Sequence, residues 1–556
     1  MKRSISRRPR GNHHALRALS TFALAVAGAG IAVAPAAHAA AGTTYYVSTF
    51  GSDSNSGTNA GSPWKSLAKV DATTFQPGDR ILLQAGDTWS GQLWPKGSGN
   101  SGAPITIASY GSGSKPSIAE AGKTADAVKL WNQQYWTITD IDVSNYAGGA
   151  ASDLGDLRGI HIGGDDGHTH AGFTVDSVSV HDVTGEVRWI GGSASDNSTG
   201  ITWANGWDRS KDTGGIVFNT TVPNIAAPPS AATVLTDITV QNSAVQNTSF
   251  GGIVLKQYTG DAPGAVSTGW GQRTSANDPK FAPFTNITIQ NNYITQHGTP
   301  YGCDGIYITD ARNGLIQHNL IDRVGTSGIE LYNTDRITVQ HNETTGTTRK
   351  AGGADSNGID TDIATTRSVV QYNYIHDNGE GYLACACQSR GFGDATFRYN
   401  VLASNSAIEI HLVNSPHSTT SLYNNTIYNT GAQNMVAGSG GTNVFRNNIF
   451  YTTVANAAMS TSSGVTYSHD LYGGTSPAIP STENQAVTGN PRFANPTAGG
   501  TGTQAGGPDL SAGLNWRITA GSPAIGAGMK IPNNGGLDYA GTRVPAVPDI
   551  GALQHG

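Results

Sequence analysis

The sequence predicts an all-β protein built as a parallel β-solenoid, in which short strands stack coil upon coil. A five-residue unit that begins with a small residue and alternates inward and outward positions recurs at residues 305–309, 328–332, 358–362, 381–385 and 407–411. Asn residues also recur after strands, at intervals of 23 to 31 residues from residue 292 onwards: Asn242, Asn292, Asn319, Asn342, Asn373, Asn400, Asn425 and Asn448. One coil of a solenoid fits that period. An Asn at a strand-ending turn can adopt the left-handed conformation and bond to the backbone above and below, so we expect these residues, among them Asn319, Asn342, Asn373 and Asn400, to stack as an internal ladder. Gly is 73 of 556 residues and only 13% of residues are charged, which fits many short strands joined by tight turns.

The first 40 residues are typical of a secretory signal peptide. Six basic residues precede an apolar run at residues 19–33, and Ala37 and Ala39 provide the small residues of a cleavage site. Ser6-Arg7-Arg8 resembles part of a twin-arginine export motif, but the rest of that motif is missing. We therefore expect residues 1–40 to be removed and the protein to be secreted and extracellular, without a membrane anchor.

The charge balance argues against two classes of partner. Removal of six positive charges and no acidic ones takes the formal net charge from −6 to −12. A basic surface for nucleic acid or for anionic lipid is therefore not indicated. We expect no nucleic-acid partner and no membrane partner.

Residues 44–89 form a distinct opening segment. The pattern predicts a strand, a polar loop, a short helix near Pro63, a turn at Pro77-Gly78 and a second strand. The polar loop is rich in Asp, Asn and Ser but lacks the spacing of a calcium-binding loop. We interpret it as a turn, with a metal site as the alternative.

With these repeats and this opening, the sequence resembles the right-handed parallel β-helix proteins of the pectate-lyase-like superfamily, which are extracellular carbohydrate-active proteins. Residues 45–89 resemble their N-terminal cap, and residues 521–525 and 549–552 resemble a terminal segment common among bacterial members. The resemblance implies a single-stranded right-handed parallel β-helix with an N-terminal cap, and the repeats predict about ten coils. It implies no particular chemistry, because the superfamily includes hydrolases, lyases, epimerases, adhesins and phage spikes.

The expected organisation has four parts, and the third contains two insertions. After the signal peptide at 1–40 come the cap and first strands at 41–125, the coils at 126–470 and a C-terminal segment at 471–556 that packs on the helix. The insertions, at 186–213 and 258–284, are long and rich in aromatic residues. Such loops often serve binding, so we expect them to wall a groove beside the coils. The alternative is that their rings only anchor the loops.

A column of polar side chains is predicted on the outer, solvent-facing side of the repeats. Side chains alternate between the two faces of a strand. We therefore expect five polar side chains to point away from the buried Ile and Leu side chains: Glu330, Asp360, Asp362, Glu409 and His411. If the strands stack in register, Glu330 and Asp360 are neighbours and Asp362 lies two residues further along. Crowded carboxylates cannot all ionise at low cost, so one of them should keep its proton near neutral pH.

This column predicts a polysaccharide-degrading glycoside hydrolase, in which one protonated carboxyl acts as the acid and one carboxylate as base or nucleophile. We assign catalysis to Asp360 and Asp362, with Glu330 as the third carboxylate. Substrate contacts are predicted for Glu409, His411, Tyr307, Tyr332, Lys256, Arg390 and Trp270. Backbone spacings leave inverting and retaining chemistry open. The expected partner is a polysaccharide substrate, the protein is expected to be a monomer, and no cofactor is required.

The same acids allow two other interpretations. Calcium could bind to several of them, namely Asp304, Asp355, Asp360 and Asp362, with Glu330 nearby. In a calcium-dependent lyase or epimerase of uronic-acid glycans, Lys256 or Arg390 would abstract the proton, although the low basic content favours the hydrolase. A non-catalytic glycan-binding solenoid is the third class, and it needs no column of carboxylates.

Three cysteines are too few for a disulfide framework in a chain of this length. Cys385 and Cys387 lie on the same face of one strand, whereas Cys303 lies earlier in the chain. Buried thiols and a local disulfide both remain open.

Overall fold

Nearly all of the regular structure consists of short parallel β-strands. The computed structural model describes residues 42–190, 200–348, 350, 355–387, 391–496 and 507–555. The predicted signal peptide and the candidate residue Arg390 lie outside these residues. No helix in the described ranges has both the length and the apolar character that crossing a membrane requires.

The elements follow one another in chain order with few interruptions. The first part of the chain contains β1 Thr44–Val47, α1 Leu67–Asp71, β2 Thr74–Phe75, β3 Arg80–Gln84, β4 Thr88–Trp89, β5 Lys96–Gly97, β6 Ile105–Tyr110, β7 Ser117–Ala119, β8 Asp126–Trp131, β9 Trp136–Thr139, β10 Asp142–Asn145, β11 Arg158–Gly164, β12 Thr169–Asp176, β13 Ser179–Val183, β14 Val187–Ile190, β15 Ile201–Ala204, β16 Gly214–Thr220, β17 Val234–Gln241, β18 Ala244–Thr248, β19 Phe250–Lys256, β20 Phe284–Gln290 and β21 Tyr293–Thr295. The second part contains β22 Gly302–Thr309, β23 Ala311–Gln317, β24 Leu320–Asp322, β25 Ser327–Tyr332, β26 Asp335–Gln340, β27 Glu343–Thr345, β28 Asn357–Thr361, β29 Ser368–Gln371, β30 Tyr374–His376, β31 Glu380–Ala384, β32 Phe392–Arg398, β33 Val401–Ala403, β34 Ile408–Val413, β35 His417–Tyr423, β36 Thr426–Asn429, β37 Asn434–Ser439, β38 Thr442–Arg446, β39 Ile449–Thr452, β40 Val465–Ser468, β41 Leu471–Gly474, β42 Glu483–Asn484 and β43 Val487–Thr488. Short 3-10 turns lie at Ala151–Asp153, Trp207–Arg209 and Ala512–Trp516.

Strands β2 and β5, and likewise β14 and β15, pair as small parallel sheets, and the other strands form three long parallel sheets. In the described residues these sheets have 15, 14 and 10 strands, and each complete coil contributes one strand to every sheet. The 10-stranded sheet runs from β8 to β37 and matches the expected number of about ten coils. The prediction of a single-stranded right-handed parallel β-helix is confirmed.

The interior is a stack of aliphatic side chains held in register. Ile253, Ile306, Ile329 and Ile359 occupy the same point of four successive strands and are all fully buried. Because every coil places an apolar side chain above the one below, the core is continuous along the helix axis. This regular stacking fixes which side chains meet on the outer face.

The N-terminal helix α1 covers the start of this core. Its first turn is capped by Ser66, whose Oγ accepts a hydrogen bond from the backbone N–H of Lys69 at 3.1 Å. Leu67 and Val70 are buried and pack with the side chains of the first coils. The cap therefore protects apolar surface that the solenoid would otherwise expose at this end.

The predicted internal ladder of Asn side chains is confirmed. Nδ2 of Asn319 donates to Oδ1 of Asn342 at 2.9 Å, and the same oxygen accepts from the backbone N–H of Asn319 at 3.0 Å. The ladder repeats this contact through fully buried residues: Asn292, Asn319, Asn342, Asn373, Asn400, Asn425 and Asn448. It ends on Oδ1 of Asp470. Each amide thus satisfies the backbone of one coil and the side chain of the next.

Two details of the predicted ladder are wrong. The left-handed conformation falls on the residue before each ladder Asn, for example His318 with φ 54° and His341 with φ 54°. Asn242 is itself such a residue, with φ 53°, and its exposed side chain bonds to Asp176. Ser243 occupies the ladder position in that coil, because its backbone N–H donates to Oδ1 of Asn292 at 3.1 Å.

We predict that Asn373→Ala lowers the free energy of unfolding by about 1–3 kcal/mol, because it leaves the buried carbonyl of Val339 and the N–H of Asn342 without a partner. Equilibrium denaturation followed by circular dichroism measures the change. Gln371→Ala is the matched control, since Gln371 makes a similar amide contact to Gln340 in the same coil but is only partly buried. Equal losses in the two variants would contradict a special role for the internal ladder.

Candidate active-site cleft

The predicted carboxylates meet on the outer face of the 10-stranded sheet. Strands β25 and β28 pair so that Glu330 lies opposite Asp360, as the repeat register predicts. Asp362 lies two residues further along the same strand direction. One carboxylate oxygen from each of Glu330, Asp360 and Asp362 lies within 4.8 Å of the others.

These acids form the floor of a cleft of about 720 Å³. The insertion at 186–213 contributes most of one wall, including Trp189, Trp203, Trp207 and Lys211. The cleft is also lined by two polar side chains of the insertion at 258–284, Asp261 and Gln272. Two cysteines of the loop after β31, Cys385 and Cys387, line it as well. The insertions therefore convert an open sheet face into an enclosed site.

The expectation of a fully solvent-facing column is wrong. Glu330 and Asp360 are only 5% and 3% exposed, because the first insertion lies over them. Asp362 and Asp355, which also line the cleft, are partly exposed. The accessible carboxylates are thus those at the edge of the cluster, while the central ones lie beneath.

Burial dominates the electrostatics of Asp360 and its neighbours. Burial raises the pKa of Asp360 well above its usual value, and the negative charges of Asp362 and Glu330 raise it further. Its Oδ1 has no hydrogen-bond partner among the described residues. The pKa of Asp304, fully buried beside Glu330, is raised for the same reasons. The cluster therefore favours a protonated Asp360 at neutral pH.

Local contacts oppose the rise in pKa at two of the acids. Burial and Glu330 raise the pKa of Asp362, but the backbone N–H of Ile363 donates to its Oδ1 at 2.5 Å and opposes the rise. Burial also raises the pKa of Glu330, and Lys211 opposes this, with 3.8 Å between its Nζ and Oε1 of Glu330. The hydroxyl of Ser327 donates weakly to the other oxygen of Glu330, at 3.5 Å.

Sequence reasoning missed Lys211. It lies near the end of the first insertion, just before β16, where no periodic pattern marks it. Among the described residues that line the cleft, it is the only Lys or Arg. The only available signal was its place in an aromatic-rich insertion next to the coils.

Tyr332, Tyr307 and His411 all lie on the outer side of the sheet, but their surroundings differ. Tyr332 lines the cleft and stacks on Trp207, with 4.6 Å between ring centroids. Tyr307 is fully buried behind the first insertion. Nδ1 of His411 lies 2.9 Å from a carboxylate oxygen of Glu380. His411 is not among the described residues that line the cleft.

The predicted outward orientation of Glu409 is wrong. Ile410 pairs with Tyr382, which places Glu409 at the position that Gly381 holds in the previous coil, two residues from the predicted register. The side chain is fully buried and accepts hydrogen bonds from the backbone N–H and Nδ2 of Asn405, at 3.2 and 2.7 Å. Burial raises the pKa of Glu409 to about 8. This residue is part of the scaffold.

The predicted contacts from Lys256 and Trp270 also need correction. Lys256 is buried, with its Nζ 2.6 Å from Asp212 and donating to the carbonyl of Ser210, so it cannot reach a substrate. Trp270 packs near Tyr258, with 6.2 Å between ring centroids, and is not part of the described cleft lining. The rings of the second insertion anchor that loop, whereas those of the first insertion wall the cleft. Arg390 lies outside the described residues.

The two cysteines of the cleft are joined in a disulfide, so the buried-thiol interpretation is wrong for this pair. Sγ of Cys387 lies 3.8 Å from Oδ1 of Asp362. Cys303 is fully buried in β22. The disulfide holds the chain after β31 against the cleft and adds an apolar wall beside Asp362.

A divalent cation could use the same carboxylates. Glu330, Asp360 and Asp362 can each offer one oxygen to a common point. Buried Oδ2 of Asp304 has no hydrogen-bond partner among the described residues, which fits the prediction that includes this residue. Oxygen donors of this kind suit calcium. A calcium site here stays a prediction.

We predict that Glu409 makes the wild type lose stability relative to Glu409→Gln as the pH rises. The carboxyl has a pKa of about 8 when folded and about 4.3 when unfolded, so its contribution is complete below pH 4 and is lost as the pH approaches 8. The gap should widen by up to about a few kcal/mol over this range. Denaturant unfolding of both proteins between pH 4 and 9 measures it. A constant gap would show that Glu409 does not titrate inside the fold.

Comparison with known proteins supports this fold. Residues 235–450 match the family model described as "Right handed beta helix region". The chain is 25% identical over 610 aligned positions to the lacto-N-biosidase of Bifidobacterium longum subsp. longum, covering 92% of this chain and 36% of that protein. The chain thus spans about a third of the length of that relative.

Solved structures give the same picture of the fold. The native crystal structure of the GH136 lacto-N-biosidase from Eubacterium ramulus superposes with a TM-score of 0.57 at 22% identity, covering 73% of this chain and 67% of that chain. Its selenomethionine derivative gives a TM-score of 0.55 at 21% identity, with the same coverage of both chains. The chain therefore has the right-handed parallel β-helix fold that these carbohydrate-active enzymes share.

Proposed function

We propose that this protein is a secreted glycoside hydrolase whose active site is the cleft over β25 and β28. The main support is the group formed by Glu330, Asp360 and Asp362, in which one carboxylate oxygen of each residue lies within 4.8 Å of the others. Aromatic side chains line the same cleft. Glycoside hydrolysis needs a proton donor and a carboxylate close together. Secretion is supported by the basic and apolar pattern of residues 1–40.

The substrate is proposed from the relatives and from the shape of the cleft. The aligned relative that covers 92% of this chain is a lacto-N-biosidase, so the oligosaccharide cleaved by lacto-N-biosidases is the first compound to test. Indole rings such as those of Trp203 and Trp207 offer flat apolar surfaces against which sugar rings pack. The cleft volume of about 720 Å³ suits a short oligosaccharide segment.

The spacing of the carboxylates favours a retaining reaction. Retaining enzymes hold the two carboxyl groups about 5–5.5 Å apart, whereas inverting enzymes need about 6.5–9.5 Å to admit a water molecule. One carboxylate oxygen from each of the three acids lies within 4.8 Å of the others, which is nearer to the separation in retaining enzymes. Asp362 is our nucleophile, because it is partly exposed in the cleft and receives a hydrogen bond from Ile363 that stabilises its charge.

We assign the role of proton donor to Asp360, because its carboxyl is the one expected to stay protonated. Its buried carboxyl, with negative neighbours and an unpartnered oxygen, retains a proton at neutral pH. In the first step this proton passes to the glycosidic oxygen while Asp362 bonds to the anomeric carbon and the leaving group departs. In the second step Asp360, now a carboxylate, takes a proton from the water that hydrolyses the glycosyl-enzyme. Asp355 is the competing donor, because it lines the cleft and is more exposed than Asp360.

The calcium-dependent lyase remains the second candidate, since the same oxygens converge on one point. Of its two predicted bases, Lys256 is held by Asp212 away from the cleft. Arg390 lies outside the described residues and stays a prediction. The convergence of carboxylates supports the metal alternative, and the position of Lys256 weakens the lyase chemistry built on it.

We predict that the purified protein releases new reducing ends from an oligosaccharide panel that includes the lacto-N-biosidase substrate, with no rise in ultraviolet absorbance. Hydrolysis produces reducing ends, whereas a lyase also produces an unsaturated sugar that absorbs. Each reaction is run with EDTA and with added calcium. Unsaturated product, or activity that EDTA abolishes and calcium restores, would favour the second candidate.

We predict that Asp362→Asn and Asp360→Asn each lower kcat by about a hundredfold or more. Asp237→Asn is the control, because Asp237 is an exposed acid on another sheet with φ 57°, a conformation that Asn tolerates. Activity at the control level in both variants would remove this site from consideration. Circular dichroism checks that each variant is folded.

Adding azide to reactions on an aryl glycoside with a good leaving group distinguishes the acid from the nucleophile. Such a substrate needs little acid assistance in the first step, so azide should rescue the acid variant with retained configuration. In the nucleophile variant Asp362→Gly, azide should give the glycosyl azide with inverted anomeric configuration. Rescue of Asp355→Ala with retained configuration, and not of Asp360→Ala, would assign the acid role to Asp355.

A further inference from the structure

The carboxylate of Asp208 joins the two insertions. Asp208 lies in the short turn Trp207–Arg209 of the first insertion. Its Oδ1 accepts hydrogen bonds from the backbone N–H and the hydroxyl of Thr259, at 2.5 and 2.7 Å. Its Oδ2 accepts from the N–H groups of Gly260 and Asp261, at 2.6 and 2.9 Å. All four donors belong to the second insertion, and a set of donors suits an ionised carboxylate.

The second insertion presents a concave backbone site to this carboxylate. Three consecutive N–H groups, at residues 259–261, converge on it, and Gly260 between them has φ 76°. Successive N–H groups around a left-handed residue form a nest that binds anions. The backbone N–H of Asp208 donates in return to Oδ1 of Asp261 at 3.0 Å. The two segments are therefore bonded in both directions.

The residue before the turn allows this close approach. Gly206 has φ 82°, and a Cβ at this position would lie 2.2 Å from the carbonyl oxygen of Asp261. A larger side chain would force the two insertions apart and would also strain the backbone. The contact between the insertions thus depends on Gly206 as well as on Asp208.

One arm of this contact is Trp207, which precedes Asp208 and lines the cleft. Its ring stacks on that of Tyr332, with 4.6 Å between centroids. The indole N–H is buried and has no hydrogen-bond partner among the described residues. The position of the ring therefore depends on packing and on the turn that Asp208 anchors.

The other arm is Asp261, an exposed acid that also lines the cleft. The N–H of Asp208 bonds to its Oδ1, and Nε2 of Gln272 donates to its Oδ2 at 2.8 Å. Gln272 lines the cleft too. A few polar groups held in fixed positions on the wall of a cleft are what orients a polar ligand such as a sugar.

We propose that Asp208 is a positioning residue for substrate binding, which holds Trp207 and Asp261 in place in the lining of the cleft. The inference rests on the proposed hydrolase function, and it assigns part of glycan binding to residues outside the carboxylate cluster. Asp208 itself is not among the described residues that line the cleft. It acts through its two neighbours and contacts no reacting atom.

The variant Asp208→Asn tests this role. It keeps the size of the side chain but replaces one acceptor oxygen with an amide that faces N–H donors. With the oligosaccharide cleaved by lacto-N-biosidases, or with the panel glycan that the wild type binds in its place, we expect KM to rise about tenfold or more, because groups that position substrate are displaced. The value of kcat should change less, since uniform binding is what is lost. Titration calorimetry measures the loss of glycan affinity directly.

Asp278→Asn is the matched control. Asp278 is a partly exposed acid of the second insertion, and it accepts the same kinds of bond. The N–H and hydroxyl of Thr274 donate to its Oδ2 at 2.9 and 2.8 Å, and the N–H of Lys280 donates to its Oδ1 at 3.0 Å. These contacts lie within one insertion, and Asp278 is not among the described residues of the cleft lining. Its KM and glycan affinity should match the wild type.

Gly206→Ala disturbs the same contact without changing a charge. The added methyl group meets the carbonyl of Asp261 and should separate the two segments. We expect KM to rise as in Asp208→Asn. Hydrogen exchange should quicken at the N–H groups of residues 259–261 in both variants and stay slow in Asp278→Asn.

The outcomes separate this inference from the hydrolase proposal. Active enzyme with wild-type KM and glycan affinity in Asp208→Asn would overturn the inference alone, and so would an equal loss in Asp278→Asn or a fall in kcat with KM unchanged. A wild type that binds a glycan but cleaves none defeats the hydrolase, whereas weaker binding in Asp208→Asn would still support the inference. A wild type that binds no glycan of the panel overturns both.

Folding of the variants is checked by circular dichroism and by melting temperature. If Asp208→Asn does not fold, Thr259→Val replaces it, because that change removes only the hydroxyl donor and keeps the shape of the side chain. A rise in KM without a matching change in kcat supports the inference there as well. Failure of Thr259→Val to fold would show that the contact serves the whole fold, and would overturn the inference.

Discussion

The stacking of coils in register is the constraint on which the rest of the structure depends. A parallel solenoid repeats its backbone every coil, so a residue type placed at one point meets the same point of the coils above and below. Buried Asn319 and Asn342 lock this register, because each amide bonds to the next and to the backbone beside it. With the register fixed, Ile329 and Ile359 stack inside while Glu330 and Asp360 are forced together outside. The carboxylate cluster is thus a direct consequence of scaffold geometry.

Bringing acids together on neighbouring strands is unfavourable, and the insertions change the surroundings of these acids. Like charges on neighbouring strands repel, and water would ordinarily screen them. The insertion at 186–213 removes that water by covering Glu330 and Asp360, and it brings Lys211 as a compensating cation. The result is a group of carboxylates whose surroundings differ, since Lys211 lies beside Glu330 whereas the pKa of Asp360 is raised by burial and by negative neighbours. Division of roles between identical functional groups is what acid–base chemistry on a sugar requires.

Two buried acids on the same sheet show how scaffold and site are distinguished. Glu409 has its oxygens satisfied by Asn405 and extends the internal hydrogen bonding of the coils. Asp360 is equally buried, but one of its oxygens has no hydrogen-bond partner among the described residues. A buried polar atom without a partner destabilises the fold, so its presence in a cleft points to a role outside stability. Burial alone would not have separated these residues.

The sequence by itself determined the solenoid, the Asn ladder and the pairing of Glu330 with Asp360, because all three follow from a local period that each coil repeats. It misplaced Glu409 by two residues, since a register read from small and apolar residues cannot tell Ala407 from a true glycine position. Only the tertiary structure decided that the strand face is covered, that Lys211 enters the cleft and that Trp270 does not line it. Those features depend on how two irregular insertions fold over the coils, and non-repeating loops leave no period in the sequence from which their contacts can be predicted.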